Sequence, residues 1–187
     1  GVAHMPASNL RLGAGVAPVS AMLARGIRVG LGTDGCNSAD SLDVLEMARL
    51  AAGLSRIRDL PRADWIGAAE ALRMATEGGA ALLGLQAGRI APGMAADLAL
   101  LDLEHRGFTP LNDPLVQAVT CNLAGAVREV FVAGRQVVAE GRCTAPAAQG
   151  LGTQAAPVLA ALRGGLAPAR ALAEALDPHV VAFAERE

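Results

Sequence analysis

The pattern of apolar and polar residues along the first sixty positions predicts strands that alternate with helices. Ile27 to Leu31 is a short apolar run typical of a buried parallel strand, and Val2-Ala3 has the character of another strand end. Pro18 opens a segment that predicts a helix to about Arg25, and Gly26 is placed to end it. The order of strand, helix, strand and helix favours a parallel sheet covered by helices.

Polar segments follow both predicted strands. Residues 5–15 and 36–40 are rich in Pro, Ser, Asn, Asp and Gly, so both are predicted as loops. A long, largely buried helix is expected over residues 41–56, because its apolar side chains cover more than one face. Asp40 or Ser41 is the expected N-cap, since either side chain accepts hydrogen bonds from free amides of a first turn.

The pattern changes after a second helix, predicted over residues 63–76 and interrupted by Gly78-Gly79. From about residue 84 onwards, short β segments separated by turns replace the long apolar periods. The predicted elements are strands at 88–90 and 97–103, a short helix at 114–121, and a hairpin of residues 127–132 and 136–138.

The last part of the chain is biased in composition. Residues 144–152 form a Pro/Ala/Gly linker, and residues 153–185 predict an Ala/Leu-rich helix. We expect this helix to be broken at Gly164-Gly165, Pro168 and Pro178, because glycine and proline disfavour helix interiors.

Composition restricts the class of partner. The chain has 187 residues and a formal net charge of −2, so nothing favours nucleic acid or an anionic membrane surface. No apolar run is long enough to predict a membrane span.

Three widely spaced cysteines predict reduced thiols in a cytoplasmic protein. The chain starts with Gly1 and runs at once into structured sequence, so we expect a longer parent chain.

Ionisable residues stand at both predicted strand ends, where parallel α/β proteins place functional groups. Asp34 follows the apolar run between Thr33 and Gly35, and His4 follows Val2-Ala3. A carboxylate at such a position is costly to bury unless it is paired or binds a metal. Asp34 is therefore either a functional group or a loop-capping residue, and His4 is either functional or structural.

The number of histidines limits any zinc site. Catalytic zinc takes about three protein ligands, whereas the chain has only three histidines and no H-x-H or H-x-x-x-H pair. His105 and His179 are expected to be ordinary surface residues. The chain also lacks the glycine-rich phosphate loops and the G-x-S-x-G nucleophile elbow. This chain alone therefore cannot supply a complete catalytic zinc site of that kind.

Four segments of the chain form a specific set of motifs. They are AHMPASNLRLG at 3–13, LGTDG with the following NS and SLD at 31–43, AGRI to ADL at 87–98, and VFVAGRQVV at 130–138. In this order they resemble the deaminase/chlorohydrolase group of the amidohydrolase superfamily, and the resemblance covers about residues 1 to 143. This group includes S-adenosylhomocysteine/methylthioadenosine deaminases, guanine and 8-oxoguanine deaminases, and triazine hydrolases.

The resemblance implies an α/β fold that is the C-terminal portion of a (β/α)8 TIM barrel with part of a small β-sandwich domain. Residues 1–83 would hold the last two barrel strands and their helices. Residues 84–143 would be the C-terminal part of the composite sandwich, and residues 144–187 a linker and helical tail.

The resemblance also implies roles for individual residues. Asp34 matches the metal-ligating aspartate after the last barrel strand, which also acts as the general base. His4, Ser8, Asn9 and Ser38 would line the substrate pocket or support the site. The implied cofactor is one divalent metal, zinc with iron as the alternative, at a site that is incomplete in this chain.

The implied activity is hydrolytic deamination of an amino-substituted N-heterocycle, purine- or nucleoside-like, with the isolated chain inactive. Alternatives within the superfamily are a triazine dechlorinase and an imidazolonepropionase-like hydrolase. A different alternative is a stand-alone domain without catalytic activity. The expected partner is a small heterocyclic substrate, with neither nucleic acid nor membrane, and the family is compatible with a homodimer.

Overall fold

The computed structural model describes residues 1–58 and 61–184, with side chains described up to residue 178. The chain divides into two compact units, Gly1–Cys143 and Thr144–Glu187. Both helix and sheet are present in the first unit. Within the described residues, no helix combines the length and apolarity needed to cross a membrane.

The first half of this unit contains two parallel strands and the helices that follow them. In β1 and β2, Val2 lies opposite Val29 and His4 lies opposite Leu31, so both strands end at the same edge. This pairing confirms the predicted parallel arrangement. The elements are β1 Val2–His4, α1 Pro6–Arg11, α2 Val19–Ala24, β2 Val29–Leu31, α3 Cys36–Ala39 and α4 Val44–Leu54.

The prediction that the two polar segments after the strands are loops is wrong, because each segment contains a short helix. Pro6 occupies the first turn of α1, where its missing amide costs no hydrogen bond. Asp40 ends α3 in a left-handed conformation, with φ of 57°. The N-cap of α4 is therefore Asp43, whose carboxylate accepts hydrogen bonds from the amides of Leu45 and Glu46. The expected caps, Asp40 and Ser41, do not cap this helix.

Among the described residues, the buried cluster around β2 contains no aromatic side chain. All three residues of β2 are buried, and Met47 and Met74 pack in the same cluster at 0% and 1% exposure. The flexible methionine side chains fill the irregular space between helices that a core of alanine, valine and leucine leaves.

The helix after residue 67 is continuous, and the predicted interruption at Gly78-Gly79 is wrong. It runs as α5 Ala68–Arg73, a π-helical turn Met74–Gly78 and α6 Gly79–Leu83. Both glycines are helical, and position 78 requires glycine because the helix backbone there approaches β2 too closely for a side chain. A Cβ on Gly78 would lie 2.3 Å from the Val29 carbonyl oxygen, and one on Gly30 would lie 2.8 Å from the Gly79 nitrogen.

The second half of the unit is a four-stranded antiparallel sheet in the order β3-β4-β5-β6. Its central hairpin confirms the hairpin predicted from residues 127–132 and 136–138. The strand predicted at residues 88–90 is wrong, since these residues form no strand and Ile90 is 90% exposed. Phe108 is buried at 1% exposure beside the helix that confirms the prediction for residues 114–121. The elements are β3 Leu98–Leu101, α7 Pro114–Thr120, β4 Val127–Val132, β5 Arg135–Ala139 and β6 Arg142–Cys143.

The second unit contains one long helix, α8 Leu151–Ala184. The predicted breaks are wrong, since the helix continues through Pro157, Pro168 and Pro178. Each proline removes one backbone donor, and the helix-favouring alanines and leucines between them preserve the remaining turns. Side chains of residues 151–178 are exposed throughout. The side chain of His179 and all of residue 185 lie outside the described residues.

Candidate functional site

Asp34 lies three residues beyond β2, at the edge where both parallel strands end. Its backbone is left-handed, with φ of 61°, a conformation that Asp adopts more readily than most residues. The side chain is exposed at this edge. The turn therefore presents a carboxylate to solvent directly above the buried strand.

Three donors hold the carboxylate of Asp34. Its Oδ2 accepts hydrogen bonds from the Ser8 hydroxyl at 2.7 Å and the Ser38 hydroxyl at 2.8 Å, and its Oδ1 accepts one from the Gly35 amide at 2.8 Å. The two serines are buried, at 3% and 8% exposure. An exposed carboxylate is thus anchored from beneath by two buried hydroxyl groups.

The serines come from different elements that the parallel strands bring together. Ser8 lies in α1, which follows β1, and Ser38 lies in α3, which follows β2. A salt bridge between Arg11 and Asp40 joins the far ends of the same two helices. Both side chains of that pair are at least half exposed, so it adds little stability by itself.

These hydrogen bonds favour the charged form of Asp34. The bond from Ser8, followed by those from Ser38 and the Gly35 amide, lowers the pKa of the Asp34 carboxyl below its ordinary value of 3.8. The group is therefore an anion at neutral pH. Because it stays exposed to solvent, the cost of holding that charge is small.

His4 is buried at 4% exposure, and its Nδ1 has no hydrogen-bond partner among the described residues. Burial lowers the pKa of His4 below its ordinary value of 6.5, so the imidazole is neutral at pH 7. The ring borders a cavity of about 10 Å³ together with Ser20, Ser55 and Arg58. A space of that size is at the lower limit for one water molecule and is too small for a heterocycle.

Asn9, the remaining predicted site residue, does not join this cluster. Asn9 is half-buried in α1 and its side chain makes no hydrogen bond to another described residue. His105 accepts a hydrogen bond at Nδ1 from the Gly107 amide and so shapes a short turn.

A cavity of about 520 Å³ lies beside α2 and is lined in part by Arg25, Trp65 and Glu70. Asp34 does not line this cavity.

The described residues offer one carboxylate rather than a complete metal centre. Within 1–58 and 61–184, no group of three His, Cys, Asp or Glu side chains is placed to hold an ion. Sequence reasoning missed that Ser8 and Ser38 meet on Asp34. The visible signal was their equal spacing, four residues after His4 and four residues after Asp34.

Comparison with known proteins identifies the family. The amidohydrolase family model matches residues 1–137. A 5-methylthioadenosine/S-adenosylhomocysteine deaminase of Pyrococcus abyssi is 40% identical over 139 residues, which are 73% of this chain and 32% of the relative. The corresponding deaminase of Halobacterium salinarum is 47% identical over 112 residues, which are 60% of this chain and 26% of the relative.

Solved structures give the same result. An adenosine deaminase from Xanthomonas campestris with bound zinc superposes with a TM-score of 0.81 at 32% identity, over 87% of this chain and 37% of the other. Atrazine chlorohydrolase TrzN from Arthrobacter aurescens, complexed with zinc, gives 0.76 at 35% identity, over 82% and 35%. The chain spans about a third of the length of the Pyrococcus relative and of these structures. It belongs to the amidohydrolase family.

Proposed function

We propose that this chain forms part of a metal-dependent hydrolase that deaminates an amino-substituted N-heterocycle. The observation that carries the proposal is the Asp34 carboxylate, which stands at the carboxyl end of a parallel strand and is exposed to solvent. Catalytic groups of parallel α/β barrels are concentrated at this end of the strands. The similarity to deaminases over about three quarters of the chain supports the same reaction class.

The proposed architecture assigns β1 and β2 to the end of a (β/α)8 barrel. Their parallel pairing supports this assignment, as does the TM-score of 0.81 with the adenosine deaminase. The antiparallel sheet of β3 to β6 would belong to the β-sandwich domain over residues 84–143. Residues 144–187 would be the linker and helical tail.

Asp34 fits the part of one ligand to a divalent metal. A carboxylate has about four acceptor positions, and the three hydrogen bonds from described residues leave one of them open on Oδ1. Zinc, the metal bound in the similar structures, supplies a water nucleophile at neutral pH by lowering the pKa of the water. The remaining ligands would come from residues other than those described.

The chain's own residues would then position and move protons. Asp34 would accept the proton of the attacking water and transfer it toward the departing amine, as a general base within hydrogen-bond reach does. Ser8 and Ser38 would keep the carboxylate facing the reaction. His4, buried and neutral, would support the strand end from below.

Asp34→Asn tests the assignment, because it keeps the shape of the side chain and removes its charge and basicity. In the intact, zinc-loaded parent protein we expect turnover of 5-methylthioadenosine to fall by at least about 100-fold, in line with loss of a general base. Ammonia release measures the rate. Near-normal kcat would exclude Asp34 as base and ligand.

Substrate choice requires a separate measurement. The similarity to TrzN favours one alternative, hydrolytic displacement of another leaving group from a triazine ring. Ammonia release from 5-methylthioadenosine, S-adenosylhomocysteine and adenosine should be compared with chloride release from atrazine. A kcat/KM higher for atrazine than for all three purine nucleosides would replace the deaminase proposal with this alternative.

A further inference from the structure

We propose that Ser8 and Ser38 are positioning residues that give the two carboxylate oxygens of Asp34 different roles. Their hydroxyls take both acceptor positions of Oδ2, so Oδ1 remains the oxygen available to an ion or a reacting proton. This inference rests on the function proposed for Asp34. It adds that the orientation of the carboxylate is set by side chains from two separate elements.

The aspartates that fulfil structural roles in this chain bind differently. Asp43 and Asp113 each accept hydrogen bonds from two backbone amides of the helix that they cap. Asp97 and Asp102 accept from single backbone amides in turns. Asp34 takes one backbone amide and two side-chain hydroxyls, so it differs from the loop-capping pattern.

Both hydroxyl donors are buried although their acceptor is exposed. Serine is one of the residue types usually left on the surface, and a buried hydroxyl must be hydrogen-bonded to avoid a desolvation cost. Ser8 and Ser38 meet that requirement at Asp34 rather than at a neighbouring carbonyl alone. The carboxylate is consequently held in one orientation without losing its access to solvent.

The two serines differ in one respect. Ser38 has a second acceptor, the Gly35 carbonyl oxygen at 3.1 Å, and it has only one proton for both acceptors. Ser8 donates to Asp34 alone among the described residues. Ser8 is therefore the fixed anchor, whereas Ser38 can turn to Gly35 and free a position on Oδ2.

The test compares Ser8→Ala, Ser38→Ala and the double variant in the intact, zinc-loaded parent protein. Replacing residues that orient a metal ligand typically weakens metal affinity or activity about 10- to 100-fold. We expect the zinc dissociation constant from chelator competition to rise by that factor in the double variant. We also expect kcat on 5-methylthioadenosine to fall with little change in KM, and Ser8→Ala to exceed Ser38→Ala in both effects.

Ser55→Ala is the matched control. Ser55 is also buried, at 5% exposure, and its hydroxyl also makes two hydrogen bonds, to the Ala52 carbonyl and from the Ile66 amide. It should lower the melting temperature as much as the other serine variants, yet leave zinc affinity and kcat unchanged. Ser8→Thr, which keeps the hydroxyl, should restore zinc affinity toward that of the parent.

The outcomes separate this inference from the function on which it rests. If Asp34→Asn removes zinc affinity and turnover but the serine variants behave like Ser55→Ala, the positioning role is wrong and the function stands. If Asp34→Asn changes neither, the proposed function fails. Should the double variant not fold, the single variants and Ser8→Thr decide the same question.

Discussion

Because the helix of α5 and α6 lies against β2, we expect alanine to have different effects on stability at two adjacent glycines, Gly78 and Gly79. Gly78→Ala would place a Cβ 2.3 Å from the Val29 carbonyl oxygen, whereas Gly79→Ala meets nothing within 4 Å. Both residues are already helical, with φ near −61°, so neither change strains the backbone. The two variants therefore differ in the steric contact with β2.

The magnitude follows from the distances. Carbon and carbonyl oxygen normally approach to about 3.3–3.6 Å, so the helix and strand would have to separate by roughly 1 Å. Overpacking of this kind costs about 1–3 kcal/mol. Alanine gains about 0.5–1 kcal/mol over glycine inside a helix, and this gain applies equally at both positions. The difference in the free energy of unfolding between the variants should therefore be about 1–3 kcal/mol.

Thermal unfolding followed by circular dichroism measures this difference. For a chain of this size, about 1 kcal/mol shifts Tm by roughly 2–4 °C, so Gly78→Ala should melt roughly 2–12 °C below Gly79→Ala. Gly79→Ala should equal or exceed the parent protein. Equal Tm values for the two variants, or a higher value for Gly78→Ala, would refute the close approach of helix and strand.

Two further predictions concern pH and helix capping. The lowered pKa of His4 means that the unfolded chain binds a proton more readily than the folded one, so stability is full above the ordinary pKa of 6.5 and falls as pH drops below it. The decrease in the free energy of unfolding should approach about 1.4 kcal/mol per pH unit and should be absent in His4→Gln. Parallel pH profiles of Tm for His4→Gln and the parent protein would contradict this prediction. Asp43→Ala should cost about 1 kcal/mol through loss of the α4 cap, and Asp43→Asn, which keeps an acceptor, much less. Similar Tm values for these two variants would show that the cap is unimportant.

The sequence predicts those elements that combine a regular apolar pattern with turn residues at their ends. The hairpin around Ala133-Gly134, α7 and α2 were predictable because each combines such a period with a proline or glycine at its end. The run at residues 27–31 was predictable as buried, although only its last three residues form β2. Residues 88–90 have strand-like composition but no partner strand, and pairing is a property of the whole sheet.

The helices at the site could not be predicted in the same way. The sequence of α1 contains Ser8 and Asn9, which have weak helix propensity, and α3 has only four residues. Such helices depend on tertiary contacts, which no local pattern reports. The motif pointed to Asp34, Ser8 and Ser38 separately, but their hydrogen bonds cross 26 residues in one case and four in the other. The parallel pairing of β1 and β2 brings Ser8 to Asp34, whereas Ser38 reaches Asp34 within one loop and short helix.

That pairing also has an evolutionary consequence. Each donor to Asp34 and the strand that positions it fall within residues 2–38, a single β-α-β stretch with its flanking helix α3. Recombination with one breakpoint before β1 and another after α3 would transfer the carboxylate together with its hydroxyl donors. The donors and the acceptor would thus be inherited as one block.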